Sequence, residues 1–595
     1  MAAINDFALK LANVNGTGSA SANSLLMQAI FRMGIPVSGK NLFPSNIQGL
    51  PTWYEIRVNK EGHVARAEGF DLFVAMNAET YGVDIAEVRS GGFVLYDSSW
   101  PLDPSLSRKD VTFLGVPLAR LCGESFVDSR ERILMKNIAY AGVLMALLEI
   151  DRAVVDKLLE EKFAGKPKLR ESNQRALELG RRFAVEHLPH PLPFKLAPMD
   201  ATRDSVLIDG NTAAALGCLY AGATVAAWYP ITPATSLMDA FRGFCGEYRK
   251  SPEGMRACIV QAEDELAAIG MTMGAGWAGA RAFTSTAGPG ISLMGELLGL
   301  AYYAEIPIVI VDVQRVGPST GMPTRTQQGD ILSCAYASHG DTKHVLLFPA
   351  NPEECFRLAV VAFDLAERFQ TPVFMLSDLD IGMNDWVCPR FTWDDSYRPN
   401  RGRVLGADEL RALAGPFTRY WPVDDEYVAA RTLPGVSEKG AYFTRGSGHN
   451  KLGCYTETPS EYQEVIDRLA AKHRAAAHAV PAALLDGTGA RTGIITLGGC
   501  DAAVREGLVG LRARGMELDL MRVRAYPFGP EVAAFIAAHE RCVVIEQNRD
   551  GQLRTLLVNE LGVDPARLVS LLSYGGFPLS AHEVVAGITS RMEKA

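Results

Sequence analysis

Between Val206 and Asp385 five short apolar runs, Thr224–Tyr229, Ala257–Gln261, Arg281–Ser285, Pro307–Val311 and Pro372–Leu376, alternate with Ala/Leu-rich helical segments. Short apolar runs separated by helices predict a mostly parallel sheet covered on both faces. Ligands of such sheets sit beyond the carboxyl ends of the strands, so the loops after these runs are where a site is expected.

The rest of the chain repeats the theme. Near the N-terminus a strand-like stretch runs into Gly16-Thr-Gly18 and then an apolar helical segment, Leu25–Phe31; Phe70–Met76 and Gly92–Tyr96 read as later strands of an open α/β sheet. Asp151–His187 is helical by pattern, and three prolines between His187 and Phe194 favour an extended linker. Residues 386–485 are rich in Arg, Tyr, Trp, Gly and Pro and show no period until a capped helix from Pro459 to His473. A further α/β unit carries strands Thr492–Leu497 and Cys542–Glu546. The expected chain is therefore a multidomain α/β protein with units at 1–190, 200–385 and 486–595 and a connecting segment at 386–485, which suits its 595 residues.

Composition narrows the partners. Lys+Arg 59 against Asp+Glu 68 gives a net charge of −9 with no strongly basic tract, which disfavours binding held by nucleic-acid phosphates. The 10 cysteines are spread singly, without a C-x-x-C pair, so neither a disulfide framework nor an iron–sulfur ligand run is expected, and a reducing cytoplasm is. No apolar run approaches the roughly 20 residues of a spanning helix and no leader pattern opens the chain, so a cytoplasmic protein without membrane contact is expected.

Five segments could carry chemistry. Gly16-x-Gly18 before a helix could offer backbone N–H groups to a phosphate or be a plain tight turn; position 21 is Ser, so the full dinucleotide fingerprint is not met. Trp228-Tyr-Pro-Ile-Thr-Pro-Ala-Thr235 leaves a strand through two prolines that hold Thr232 in place, with Thr232 or Thr235 as a helix N-cap the alternative. Gln261-Ala-Glu-Asp-Glu265 sets three acids at a helix start; they favour the helix dipole, and one of them, buried by the glycines at 270, 274, 276 and 279, could share a proton with a cofactor nitrogen. Thr284-Ser-Thr-Ala-Gly-Pro-Gly290 and Val313–Gly329 are Gly/Pro/Ser/Thr-rich strand exits, the second carrying Arg315 and Arg325, each able to grip a carboxylate or phosphate or to be satisfied by its own loop.

Gly210-Asn211, YPITP, QAEDE, TSTAGPG and GPSTGMPTRTQQGD, in this order, closely resemble the alpha subunit of 2-oxoacid:ferredoxin oxidoreductases, most of all the 2-oxoglutarate type with a gamma domain fused ahead. The resemblance implies a gamma domain at 1–190, a thiamine-enzyme pyrimidine-type domain at 200–385 and a transketolase C-terminal-type domain at 486–595, where Glu546-Gln-Asn548 and Gly551-Gln552 fit the pattern. It implies CoA-dependent oxidative decarboxylation of 2-oxoglutarate to succinyl-CoA and CO2 with thiamine diphosphate, electrons passing through a [4Fe–4S] cluster to ferredoxin; run backwards this is a reductive carboxylation. Pyruvate, branched-chain and aryl 2-oxoacids are the alternative substrates, and a noncatalytic scaffold the alternative role. By the same resemblance Glu265, or less favourably Glu263, hydrogen-bonds the cofactor's aminopyrimidine; Thr232 is the substrate-side hydroxyl of a cofactor-contacting loop with Tyr229, Pro230 and Ile231; Arg315 holds the substrate carboxylate; Arg325 is a second contact; and Gly16, Gly18, Ser19, Ser45 and Asn46 are coenzyme A contacts. A G-D-G…N motif for the Mg2+ is missing, since Asp209-Gly-Asn211 follows Ile208. No metal ligand is therefore expected in this chain; a beta subunit is expected to bring Mg2+, diphosphate site and cluster, in an alpha2beta2 assembly.

Overall fold

Asp6–Val14 (β1), buried along almost its whole length, is the central strand of a six-stranded sheet. With Val37–Leu42 (β2), Pro51–Asn59 (β3), Phe70–Ala75 (β4), Val88–Asp97 (β5) and Thr112–Val116 (β6) it forms the order β2-β3-β1-β4-β5-β6, in which β1, β4, β5 and β6 are parallel and β3 is antiparallel to both its neighbours. The computed structural model describes residues 3–45, 49–487 and 489–593, without the side chain of Glu593. The chain separates into two compact units, one built from residues 1–208, 384–390 and 580–582 and the other from 209–383, 391–579 and 583–595.

In the first unit Ser19–Arg32 (α1) starts after Gly16 and Gly18, whose φ values of +88° and +84° lie in the left-handed region that glycine enters without strain. Ser129–Leu147 (α2) packs on Pro167–His187 (α4) with the backbones in contact: a Cβ on Gly142 would sit 2.0 Å from the Leu177 carbonyl oxygen. The helix expected over Asp151–His187 is two helices, Arg152–Lys162 (α3) and α4. Gly165 turns the chain at φ +74° and Pro167, which excludes Lys166 from helical geometry, opens α4. The proline-rich linker is extended as expected and ends pinned, because Phe194–Lys195 pairs with Ala3–Ile4 and Phe194 packs on Phe7 and Phe93. Trp386–Pro389 returns to this unit as an antiparallel partner of Ser205–Ile208, and Tyr54 donates to Asp385 at 2.7 Å.

The second unit holds the expected parallel sheet. Gly210–Tyr220 (α5), Val225–Trp228 (β7), Thr235–Tyr248 (α6), Cys258–Gln261 (β8), Glu265–Trp277 (α7), Ala282–Thr286 (β9), Gly288–Tyr303 (α8), Ile308–Gln314 (β10), Ile331–Ala335 (α9), Val345–Leu347 (β11), Pro352–Phe369 (α10) and Pro372–Asp378 (β12) follow one another along the chain. Helix Pro459–Ala476 (α11) leads to a second sheet of Leu484–Asp486 (β13), Thr492–Leu497 (β14), Asp519–Val523 (β15), Arg541–Glu546 (β17) and Leu568–Leu572 (β18), ordered β13-β15-β14-β17-β18, with Gln552–Leu561 (α12) between its last two strands. The first sheet has the order β8-β7-β9-β10-β12-β11 and is closed by Ala525–Tyr526 (β16), antiparallel to β11. One apolar core runs through both sheets, taking in Ile310, Leu346, Phe374, Ile495, Met521 and Leu553. Among the described residues no helix is long and apolar enough to cross a membrane.

The segment after residue 390 has little regular structure before α11, and buried charge fastens it. Glu305, with a fully buried side chain, accepts from Arg468 and from Lys472 Nζ at 2.6 Å, while Arg419 donates to the Glu305 carbonyl at 2.9 Å. Burial alone would push the Glu305 carboxyl up, but the Arg468 and Lys472 charges hold it well below the ordinary carboxylate range. Glu305→Gln leaves those cations buried without a counter-charge and is predicted to cost about 3–5 kcal/mol, read as a lowered denaturation midpoint, whereas Glu296→Gln on the exposed side of α8 should leave it unchanged.

Candidate active site

Three loops at the carboxyl ends of β7, β9 and β10 and the start of α7 build the site. After β7, Tyr229-Pro-Ile-Thr-Pro233 is clamped from two sides: Asn211 Nδ2 donates to the Pro233 carbonyl and to Ser236 Oγ, both at 2.8 Å, and Arg315 Nη1 donates to the Thr232 carbonyl at 2.7 Å. Helix α6 is capped at Ala234 with no side-chain bond, and Thr235 Oγ1 donates to the Ile231 carbonyl. Neither threonine is an N-cap, and the half-buried Thr232 hydroxyl has no hydrogen-bond partner among the described residues. Tyr229 and Pro230 are exposed and Ile231 is half-buried.

The three acids of QAEDE separate cleanly. Asp264 caps α7 by accepting from Ala267 N–H at 2.7 Å, Glu263 is exposed, and Glu265 is 6% exposed at the first helical position. Glu265 packs on the start of α8, where a Cβ on Gly290 would come 2.9 Å from Glu265 Cγ and 2.0 Å from Thr286 Oγ1. Its carboxylate accepts no hydrogen bond among the described residues. The residue is buried but its carboxylate is neither paired nor sealed from the site, so it is open to a ligand nitrogen that carries a proton.

Arg315 follows β10 and is 8% exposed, with Nε unpartnered. It lines a cleft of about 830 Å³ together with Gly288, Pro289, Asp330, Arg549 and Tyr574. Gly288 and Pro289 precede the glycine against which Glu265 packs, so the N-terminus of α8 brings the Glu265 and Arg315 surroundings together. The loop after Arg315 doubles back, Val316 N–H donating to the Arg325 carbonyl at 3.0 Å, yet the Arg325 side chain turns elsewhere: it lies over the Phe577 ring at 5.7 Å and donates to its own Thr324 carbonyl. Arg325 is not part of that cleft's lining.

The loop's far end is held by residues that pattern reading did not single out for this task. Gln328, 2% exposed, donates from its backbone to the Gln547 carbonyl at 2.8 Å and accepts at Oε1 from Gln547 N–H at 2.9 Å; its Nε2 donates to the Leu497 carbonyl, and its carbonyl accepts from Asn548 Nδ2 at 3.0 Å. Glu546 accepts from Leu553 and Arg554 N–H at the start of α12 and from Asn548. The EQN segment thus fastens the Arg315 loop to the second sheet. Asp209 and Asn211 are likewise occupied, Asp209 in capping α5 through Thr212 N–H and Asn211 on the Pro233 loop.

In the first unit a cleft of about 210 Å³ opens at the carboxyl ends of β1 and β4, lined by Asn13, Thr17, Trp100, Arg132 and Lys136. Thr17 is the middle residue of the Gly16–Gly18 turn; Ser19 is buried in α1, Ser45 is exposed and not in this lining, and Asn46 lies outside the described residues. Asn13 Nδ2 is buried there with no partner among the described residues.

A carboxylate lacking a donor at one strand exit, a clamped Thr-bearing loop at a second and a partly unpaired guanidinium at a third mark this edge of the parallel sheet as the candidate site of an α/β enzyme. Residues 216–385, which contain all three, match the family model for pyruvate flavodoxin/ferredoxin oxidoreductase, thiamine diphosphate-binding, and residues 8–183 match that for pyruvate ferredoxin/flavodoxin oxidoreductase. The chain is 29% identical over 640 residues to the alpha subunit of 2-oxoacid:ferredoxin oxidoreductase 2 from Aeropyrum pernix, covering 99% of this chain and 98% of that one. It is 30% identical to the 2-oxoglutarate synthase subunit KorA of Methanocaldococcus jannaschii, covering 57% of this chain and 88% of the relative. Among solved structures it superimposes with a TM-score of 0.88 and 27% identity on a 2-oxoglutarate:ferredoxin oxidoreductase from Magnetococcus marinus with 2-oxoglutarate, coenzyme A and succinyl-CoA bound, over 99% of this chain and 100% of that one. The chain belongs to the alpha subunits of the 2-oxoacid:ferredoxin oxidoreductases.

The glycine geometry is directly testable. Gly290→Ala forces a methyl against Thr286 and Glu265 and is predicted to destabilise by about 1–3 kcal/mol. Gly274→Ala on α7, with nothing within 4 Å, should instead gain about 0.4–1 kcal/mol, both read by denaturant unfolding.

Proposed function

We propose that this chain is the gamma–alpha fused subunit of a 2-oxoglutarate:ferredoxin oxidoreductase, forming succinyl-CoA and CO2 in the cytoplasm. The observation that carries the reading is the convergence of Glu265, Thr232 and Arg315 on the loops around the α8 N-terminus. When bound, thiamine diphosphate supplies the electron sink that lets a 2-oxoacid lose CO2. Glu265 would offer its unpaired carboxylate as hydrogen-bond acceptor to a protonated nitrogen of the aminopyrimidine. Arg315, one arm spent on the Thr232 carbonyl, keeps its other terminal nitrogen, Nη2, for the substrate carboxylate. Thr232 keeps a free hydroxyl for the substrate side, on a loop that two donors prevent from drifting.

A beta subunit completes the enzyme by bringing the diphosphate and Mg2+ site and the [4Fe–4S] cluster that hands electrons to ferredoxin, in an alpha2beta2 assembly. In support, Leu266 next to Glu265, Met271 further along α7 and Leu293 on α8 stand exposed, apolar surface of the kind a permanent partner covers. Coenzyme A is assigned to the first unit's cleft beside Gly16 and Gly18, where Arg132 and Lys136 suit its phosphates and Trp100 offers an apolar face.

The test uses the assembled complex under anaerobic conditions. With 2-oxoglutarate, Glu265→Gln is predicted to lower kcat about 10²–10⁴-fold with assembly intact. Arg315→Ala should raise KM about 10–100-fold, the worth of a charge-assisted bond. The wild type should prefer 2-oxoglutarate to pyruvate. Pyruvate preference would reassign the substrate, and unaltered turnover in Glu265→Gln would remove that residue from the mechanism.

A further inference from the structure

Two carboxyls beneath the Arg315 cleft have no part in the mechanism above. Asp312 stands on β10 in the run Ile308-Val-Ile-Val-Asp-Val-Gln314, wholly buried next to Ile310, Leu376 and Ile331 of the apolar core. Asp330 ends the loop that Arg315 begins. It occupies the cap position of α9 without capping it: its backbone N–H goes to Gln314 Oε1 at 3.1 Å and its carboxyl turns to α8, where a Cβ on Gly288 would come 2.6 Å from Oδ1. The two residues meet at Cys334, whose Sγ donates to Asp312 Oδ2 at 3.8 Å and whose N–H donates to the Asp330 carbonyl at 2.9 Å, while Asp312 Oδ1 and Asp330 Oδ2 are buried with no donor among the described residues. Facing carboxylate oxygens can only accept, so they bond only when one of them carries a proton.

The surroundings favour that proton. Burial, and then the charge of the neighbour, raise the Asp312 carboxyl far above its ordinary range, and burial raises Asp330 despite the nearby Arg315. The Cys334 thiol is itself pushed up by burial and stays protonated. Across the cleft Arg549 and Asp550 pair with each other at 2.8 Å, and the start of α8 contributes no charge at Gly288 or Pro289. Arg315 forms no ion pair within 4 Å among the described residues, so its charge is felt by Asp330 without being consumed.

We propose that Asp312 and Asp330 share one proton and together set the charge beneath Arg315, so that an anionic substrate is admitted to the cleft. With one proton the pair carries a single negative charge, balancing Arg315 and leaving its fork free. With none, two negative charges outweigh the guanidinium and repel a 2-oxoacid. A substrate carboxylate therefore binds the protonated pair more tightly and, by linkage, raises the pair's proton affinity, so affinity falls as pH climbs through the pair's upper ionisation. The inference rests on the reading of Arg315 as the carboxylate receptor.

The assembled holoenzyme gives the test. In the wild type, KM for 2-oxoglutarate should rise toward about tenfold per pH unit on the alkaline side, the signature of one linked proton. Asp330→Asn and Asp312→Asn keep the shape and remove the pair's second ionisation, and should flatten that rise while the pH profile of kcat is retained. Should the core variant Asp312→Asn fail to fold, Asp330→Asn carries the test. A second readout is proton uptake on binding 2-hydroxyglutarate, which keeps both carboxylates but has no oxo carbon, measured calorimetrically at alkaline pH in two buffers of different ionisation heat: uptake by the wild type, none by Asp330→Asn. A wild-type KM that is flat with pH, or an Asp330→Asn curve that superimposes on the wild type, overturns the proposal. If Arg315→Ala leaves KM unchanged, the reading of Arg315 falls; if it raises KM while Asp330→Asn follows the wild type, only the pair's role falls.

Discussion

Gln328 is the residue on which the geometry of the second unit turns. Four hydrogen bonds from one buried glutamine, two through its backbone and two through its side chain, tie the loop between β10 and α9 to Leu497, Gln547 and Asn548 of the C-terminal sheet. That loop carries Arg315 at one end and Asp330 at the other. A flexible crossover of this length would spread a guanidinium over several ångströms, whereas fork-like recognition of a carboxylate needs it held to a fraction of one. The C-terminal sheet is therefore more than an appendage to the first: it immobilises the loop that carries Arg315 and Asp330.

The same logic, a side chain from one element fixing the backbone of another, recurs around the site. Asn211 of α5 and Arg315 both bind carbonyls of the Pro230–Pro233 loop, and Gly382 lets Asn211 in, since a Cβ there would be 2.7 Å from its Oδ1. Glu265 is placed by the absence of side chains at Gly290 rather than by bonds of its own. Glu265 and the Thr232 hydroxyl make no hydrogen bond among the described residues, and Arg315 Nε, Asp312 Oδ1 and Asp330 Oδ2 are buried without a partner, so unspent polar groups gather around this site.

Much of this was legible in the sequence. The five parallel strands and the YPITP and QAEDE segments announced themselves because apolar runs, prolines and helix-start acids are local signals. Which of the three acids is buried was not local: it depends on Gly290, 25 residues along the chain. β11 and β16, of three and two residues, exist by tertiary pairing and leave no periodicity to read. The break in the Asp151–His187 helix was written as Gly165-Lys-Pro167 and was outweighed by the apolar spacing on either side. Gln328 looked like any loop amide because its partners lie some 170–220 residues away, whereas Asp312 did leave a sign, a lone acid in an otherwise apolar strand, whose meaning appears only with Asp330 beside it.

The central claim is that this chain furnishes the proton acceptor, the substrate hydroxyl and the anion receptor of a 2-oxoacid oxidoreductase, and that the reaction requires a second subunit. The most direct measurement is viologen reduction driven by 2-oxoglutarate and coenzyme A, with thiamine diphosphate and Mg2+ supplied, comparing the purified chain with the chain assembled anaerobically with a beta subunit. The account predicts no turnover by the chain alone and coenzyme A-dependent turnover by the complex. Turnover by the isolated chain, or a stable complex inert toward every 2-oxoacid, would contradict it.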